Sequence, residues 1–78
     1  MRSVYIKLPT VDDVQSFVSQ ISTLEGDFDL MSDGYVLDAR SLMGILSLDL
    51  SKPLKLIVEK DTEETMRAIA HYMEDYNG

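Results

Sequence analysis

The chain has no cysteine and no tryptophan, a single histidine and two prolines. Without cysteine there is no disulfide, no thiolate nucleophile and no cysteine-ligated zinc or iron–sulfur centre. One histidine alone makes a poor metal site, no EF-hand-like spacing of acids occurs, and no metal or other cofactor is expected. Basic residues are also scarce: 7 Lys and Arg stand against 14 Asp and Glu, a net charge of -7. A negative body repels a phosphate backbone, and no basic stripe offsets it, so nucleic acid is not expected as a partner. A protein partner that is basic where it docks fits this charge better. No apolar run is long enough to span a membrane, so membrane insertion is not expected. Met1-Arg2-Ser3-Val4 runs straight into an alternating segment, not a signal peptide, and a cytoplasmic location is expected. Glycine-rich nucleotide loops, a Ser-His-Asp order, internal repeats and low-complexity tracts are missing as well, and the chain is not expected to be an enzyme.

What is present is 45% hydrophobic residues spread over 78 positions. That length suits one domain, 1–78, which buries roughly 60% of its extended surface. Ser3 to Leu8 alternates, with Val4, Ile6 and Leu8 on one side, and reads as a half-buried strand closed by Pro9. Thr10 or Asp12 caps the helix that follows. Its apolar stripe is Val11, Val14, Phe17, Val18, Ile21 and Leu24, and Gly26 is the expected stop. Phe28 and Leu30 share one face of a second strand, with Asp27, Asp29 and Met31 opposite. Asp33-Gly34 is a hairpin turn signal, and Tyr35 to Leu37 is the returning strand. A short helix is expected over Ser41 to Leu48. After the Lys52-Pro53 turn, Leu54, Leu56 and Val58 mark a fourth strand, with Ile57 interrupting its polar face. Asp61 or Thr62 caps a last helix with the stripe Met66, Ile69, Ala70 and Met73. The tail from Glu74 onward is expected to fray. The order β-α-β-β-α-β-α predicts an α+β open-faced β-sandwich: one four-stranded antiparallel sheet with helices on one face.

The stretch Asp33 to Leu50, DGYVLDARSLMGILSLDL, resembles the HPr phosphocarrier family of the bacterial sugar phosphotransferase system (PTS). The family's Ala-Lys-Ser-Ile-Met-Gly is similar to Ala39-Arg40-Ser41-Leu42-Met43-Gly44 here. Leu54 to Tyr72 looks like the family's last strand and helix, so the resemblance covers nearly the whole chain. It implies an HPr-like fold. The family's phosphohistidine lies in Gly-Leu-His-x-Arg-Pro-Ala at the start of the first helix. The matching region is Leu8-Pro9-Thr10-Val11-Asp12-Asp13-Val14, with Thr10 at the histidine's place and Asp12 at the arginine's. A threonine would form a stable phosphate ester, and two aspartates repel a phosphoryl group. The resemblance is therefore to a divergent member without the active-site histidine, similar to Crh-type regulators, although those keep the arginine that Asp12 replaces here.

By resemblance Ser41 is a regulatory phosphosite for an HPr kinase/phosphorylase; read as a local signal it is an N-cap. Arg40 is placed to pair with such a phosphate. Leu42, Met43 and Leu46 form the expected exposed docking set, with Ile45 and Leu48 in the core. Gly44 allows close approach of a partner or of the sheet. Arg40, Ser41, Leu42, Met43, Gly44 and Leu46 are thus the candidate partner-binding residues. His71 is expected to interact with the last helix's C-terminal dipole and not to take part in phosphorelay. The expected function is non-catalytic regulation through protein–protein interaction at the Ser41 helix. The expected partners are an HPr kinase/phosphorylase or a catabolite-control regulator. The competing readings are a sugar-transport phosphocarrier and a diverged structural or scaffold domain.

Overall fold

Alternation sorts the strand residues between two faces of a sheet. In the computed structural model, which describes residues 1–74, four strands form that sheet. They are β1 (Arg2–Ile6), β2 (Phe28–Ser32), β3 (Tyr35–Asp38) and β4 (Leu54–Val58), arranged β1-β4-β2-β3 with every neighbour antiparallel. The register sets Val4, Leu56, Leu30 and Leu37 in one row across the sheet, with Ile6 beside Leu54 and Phe28 beside Val58. This face meets α1 (Val11–Ile21), α2 (Leu42–Leu46) and α3 (Glu63–Ile69). The core between them holds Ile6, Leu8, Val14, Phe17, Ile21, Phe28, Leu30, Ala39, Ile45, Leu54, Leu56, Val58, Ile69 and Tyr72. The other face carries the row Tyr5, Lys55, Met31 and Val36. The expected α+β, one-layer-on-sheet architecture is what the chain adopts.

Local chemistry sets the element ends. Thr10 caps α1, as one of the two expected alternatives, and Thr62 caps α3: its hydroxyl oxygen accepts the Thr65 N–H at 3.1 Å. Asp33 and Gly34 have φ of 48° and 84°, the paired left-handed conformation that a two-residue hairpin needs.

Three expectations are corrected. First, α1 ends at Ile21 and not near Gly26. The Ser22 hydroxyl donates to the Val18 carbonyl at 2.6 Å and the Thr23 hydroxyl to the Gln20 carbonyl at 2.8 Å, competing with the helical ladder. Val11, in the first turn, is 52% exposed and outside the stripe. Second, α2 is shorter than expected. It ends at Leu46, where the Ser47 hydroxyl turns back to the Gly44 carbonyl at 2.6 Å. Third, α3 tightens into a 3-10 turn at Ala70–Tyr72. That shift in period rotates Tyr72 inward and leaves Ala70 and Met73 exposed, so the buried positions are Thr65, Ile69 and Tyr72, with Met66 half-buried. Tyr72 packs edge-on to Phe17, with ring centroids 5.4 Å apart, and hydrogen-bonds to Ser16.

The chain then returns along β1. Met73 bridges to Ile6, the Lys7 N–H donates to the Tyr72 carbonyl at 2.9 Å, and the Glu74 N–H donates to the Tyr5 carbonyl at 2.8 Å. Glu74 is therefore tied down and does not fray. The rest of the expected frayed tail, 75–78, lies outside the described residues.

Candidate functional site

At the start of α1, Thr10, the residue that the sequence resemblance sets at the histidine's place, uses its hydroxyl both as donor and as acceptor. It accepts the Asp13 N–H at 3.1 Å and donates to the Asp13 carboxylate at 2.8 Å, while the Thr10 N–H reaches the same carboxylate oxygen at 3.3 Å. This reciprocal capping box satisfies the N–H groups of Thr10 and Asp13 at the start of α1 with the protein's own side chains. Asp12 and Asp13 place negative charge on the helix's positive end, where an incoming anion would otherwise be favoured.

Ser41 stands at the N-cap position of α2, with extended backbone at φ -87°, but its hydroxyl makes no capping hydrogen bond. The side-chain cap expected from sequence is absent, and the hydroxyl lies on the surface. Two backbone bonds shape the turn instead: the Ser41 N–H donates to the Asp38 carbonyl and the Ile45 N–H to the Ser41 carbonyl, at 2.9 and 3.0 Å.

Arg40 is engaged elsewhere. Its Nη2 donates to the carbonyls of Ile21, Leu24 and Gly26 at 3.3, 3.1 and 2.9 Å, and its guanidinium lies over the Phe28 ring, 5.1 Å from the centroid. It therefore ties together carbonyls at and just beyond the end of α1. Pairing with a phosphate on Ser41, as expected from sequence, would cost those bonds. Sequence spacing could not show this, because Arg40 and Gly26 are 14 residues apart.

Along α2, Met43 is 77% exposed, Ile45 is buried, and Leu42, Leu46 and Leu48 are half-buried against the core. The expected docking set is thus one exposed side chain flanked by two partly covered ones. Gly44 explains how α2 lies so near the sheet. A Cβ there would come 2.9 Å from Ser41 Oγ and 3.2 Å from Leu37 Cδ1, so the close approach is to β3. Between β3 and α2 runs an apolar groove of about 440 Å³ lined by Tyr35, Val36, Leu37, Gly44, Ser47 and Leu48. Sequence reasoning missed this groove. Its signal was the run Tyr35-Val36-Leu37, apolar on both faces of a short strand.

Beyond α2, Ser51 donates to Asp49 twice, from its hydroxyl at 2.6 Å and its N–H at 3.1 Å, and Lys52 lies 3.8 Å away. The Ser51 hydroxyl bond first, then its backbone N–H and the Lys52 charge, hold the Asp49 carboxyl below its ordinary value. His71 sits edge-on to Tyr72, with ring centroids 5.0 Å apart, and Arg67 pairs with Glu63 at 3.0 Å. Among the described residues there is no cluster of three or more His, Cys, Asp or Glu side chains arranged to hold a metal, and no helix long and apolar enough to cross a membrane.

Comparison with protein-family models and with curated protein sequences gives no match. Among solved structures, the chain is similar to the crystal structure of HPr-C-His from Thermoanaerobacter tengcongensis. The two are 28% identical, with a TM-score of 0.74, over 91% of this chain and 89% of that one. HPr-like proteins are phosphocarriers, not enzymes, and a non-enzyme assignment fits this fold. By its strand order, its helix placement and this shared architecture, the chain adopts an HPr-like fold.

Proposed function

We propose that this HPr-like chain is a non-catalytic regulatory protein that docks partners through α2, with phosphorylation of Ser41 as the gate. The observation that carries the reading is the contrast between its two candidate centres. At the histidine's position Thr10 is consumed by its capping box, with Asp12 and Asp13 beside it. At α2 the Ser41 hydroxyl is exposed without a capping bond, next to the exposed Met43. A phosphate there would bring two negative charges beside Leu42, Met43 and Leu46, changing which partner surface fits. A catabolite-control regulator with a basic, partly apolar face suits the charge of -7. A cytoplasmic location follows from the same reading.

The test is intact mass after incubation with ATP and an HPr kinase/phosphorylase. One added phosphate is expected, lost in Ser41→Ala. No modification, with the kinase active on an ordinary HPr, would sink the gate. For docking, Met43→Lys is expected to weaken binding to the regulator roughly tenfold or more, as truncating a central apolar anchor does. Phosphoenolpyruvate-dependent labelling by enzyme I is expected to be absent, which separates this reading from that of a carrier.

A further inference from the structure

The sheet has two edges, and the chain treats them differently. At the β1 edge, Tyr72, Met73 and Glu74 lie alongside and bond to its backbone. At the β3 edge no described segment does so. The Ala39 N–H reaches the Phe28 carbonyl at 2.9 Å, which fixes the phase of the β2–β3 ladder. Leu37 and Tyr35 therefore turn their N–H and C=O groups toward β2, while Val36 and Asp38 turn theirs outward. The Asp38 carbonyl is taken by the Ser41 N–H at 2.9 Å. Both backbone groups of Val36 and the N–H of Asp38 remain.

Edge strands are ordinarily blunted by shortness, charge, Pro, a bulge or a covering segment. β3 is short and ends in Asp38, but Tyr35-Val36-Leu37 itself carries no charge, Pro or bulge, and Tyr35 and Val36 are 69% and 60% exposed. We propose that β3 of one copy pairs antiparallel with β3 of a second copy across a two-fold axis at Val36.

The register explains why the occupant is another copy. Centred on Val36, that residue pairs with itself and exchanges two hydrogen bonds. Tyr35 lies opposite Leu37 on both sides of the axis, and Gly34 opposite Asp38. The three central pairs are apolar, and each Tyr35 is carried toward the groove beside the other copy's Leu37, Gly44 and Leu48. No two acids oppose each other, whereas centring on Asp38 would set that carboxylate against itself. The same register brings each Asp38 to the other copy's hairpin tip. There Lys52 sits 3.7 Å from Asp33 and 3.8 Å from Asp49, beside Met31 and Lys55 on the face that Asp38 shares, so Asp38 meets a tip whose own charges balance and is not repelled. A two-fold contact uses β3 of both copies at once, so pairing stops at two copies and forms a closed dimer, not a fibre.

The interface is small, on the order of 400 Å² per copy against the ~800 Å² of a standard one, so association is weak. Sedimentation equilibrium from about 10 µM to about 1 mM is expected to show monomer giving way to dimer, as an interface of that class does. V36K and V36E, at an exposed edge position, are each expected to stay monomeric with unchanged circular dichroism. Their equimolar mixture is expected to recover the dimer, because opposite charges then meet at the axis. Met43→Lys is expected to leave the wild-type curve unchanged, which keeps this interface separate from α2 docking. A monomer at the highest concentration, a dimer indifferent to V36K, or a mixture that fails to associate would overturn the proposal.

Discussion

Replacing Arg40 by Met decides whether that residue supports the fold or meets a partner. Methionine keeps the length and apolar character of the stem and removes the guanidinium. The group lost donates from Nη2 to three carbonyls, at 2.9 to 3.3 Å, and lies 5.1 Å from the Phe28 centroid. Nη2 has only two hydrogens, so at most two full bonds are counted. Charged hydrogen bonds contribute about 1.5–3 kcal/mol each when buried, and this half-buried site reduces them to about 1 kcal/mol each. The cation–π contact adds about 0.5–1 kcal/mol. R40M is therefore expected to cost about 2–3 kcal/mol, out of a total near 4–12 kcal/mol for a domain of this length. Urea unfolding followed by far-ultraviolet circular dichroism measures this directly. The midpoint should fall with an unchanged slope, and Tm should drop by roughly 10–20 °C. R40K is expected to recover less than half, because an ammonium cannot reproduce the planar fork or the stacking. A loss below about 0.5 kcal/mol, with regulator binding weakened instead, would refute the structural role and restore the docking role expected from sequence.

Thr10→Ala removes both hydroxyl bonds to Asp13 and keeps the backbone N–H bond to its carboxylate, and is expected to cost about 1 kcal/mol in urea unfolding. Gly34→Ala meets nothing within 4 Å, so its cost comes from φ of +84° alone, about 1–2 kcal/mol by the same measurement. Ser51→Ala removes the hydroxyl bond, the largest cause depressing Asp49, while keeping the backbone N–H bond, and is expected to move that carboxyl part of the way up toward its ordinary value, followed by an NMR titration of its side-chain carbon. Because the folded carboxyl titrates below the unfolded one, the stabilisation it provides is present above the ordinary carboxylate range and is lost as pH falls through the folded value. The acid limb of wild-type unfolding should therefore be shallower in the Ser51→Ala chain.

Patterns that repeat within a few residues were legible before any fold was known. Val4 and Ile6, Phe28 and Leu30, and Leu54, Leu56 and Val58 all lie on the core side of the sheet as their alternation required. Asp33-Gly34 made the hairpin, and Thr10 and Thr62 made the caps, because each works through bonds to groups two or three residues away. The element ends were less legible where two local forces compete. The hydroxyls of Ser22, Thr23 and Ser47 each add a bond to a carbonyl of the last turn, and a helix-period stripe says nothing about that. Tyr72 was lost to the same cause: once α3 tightens to a 3-10 turn, the buried position moves from Met73 to Tyr72.

The candidate site divides in the same way. From the sequence came the threonine and the acids at the start of α1, the serine before α2 and the exposed Met43, since each depends on residue identity or on neighbours within one turn. Where Arg40 points and which edge of the sheet has a segment alongside depended on segments distant in sequence. Arg40 reaches across to carbonyls after α1, and the turn after α3 closes β1 while leaving β3 open. Local order follows from short-range backbone and side-chain energies, so the sequence alone determined it. Those long-range bonds exist only once the helices have packed on the sheet, and for that reason only the tertiary structure could decide them.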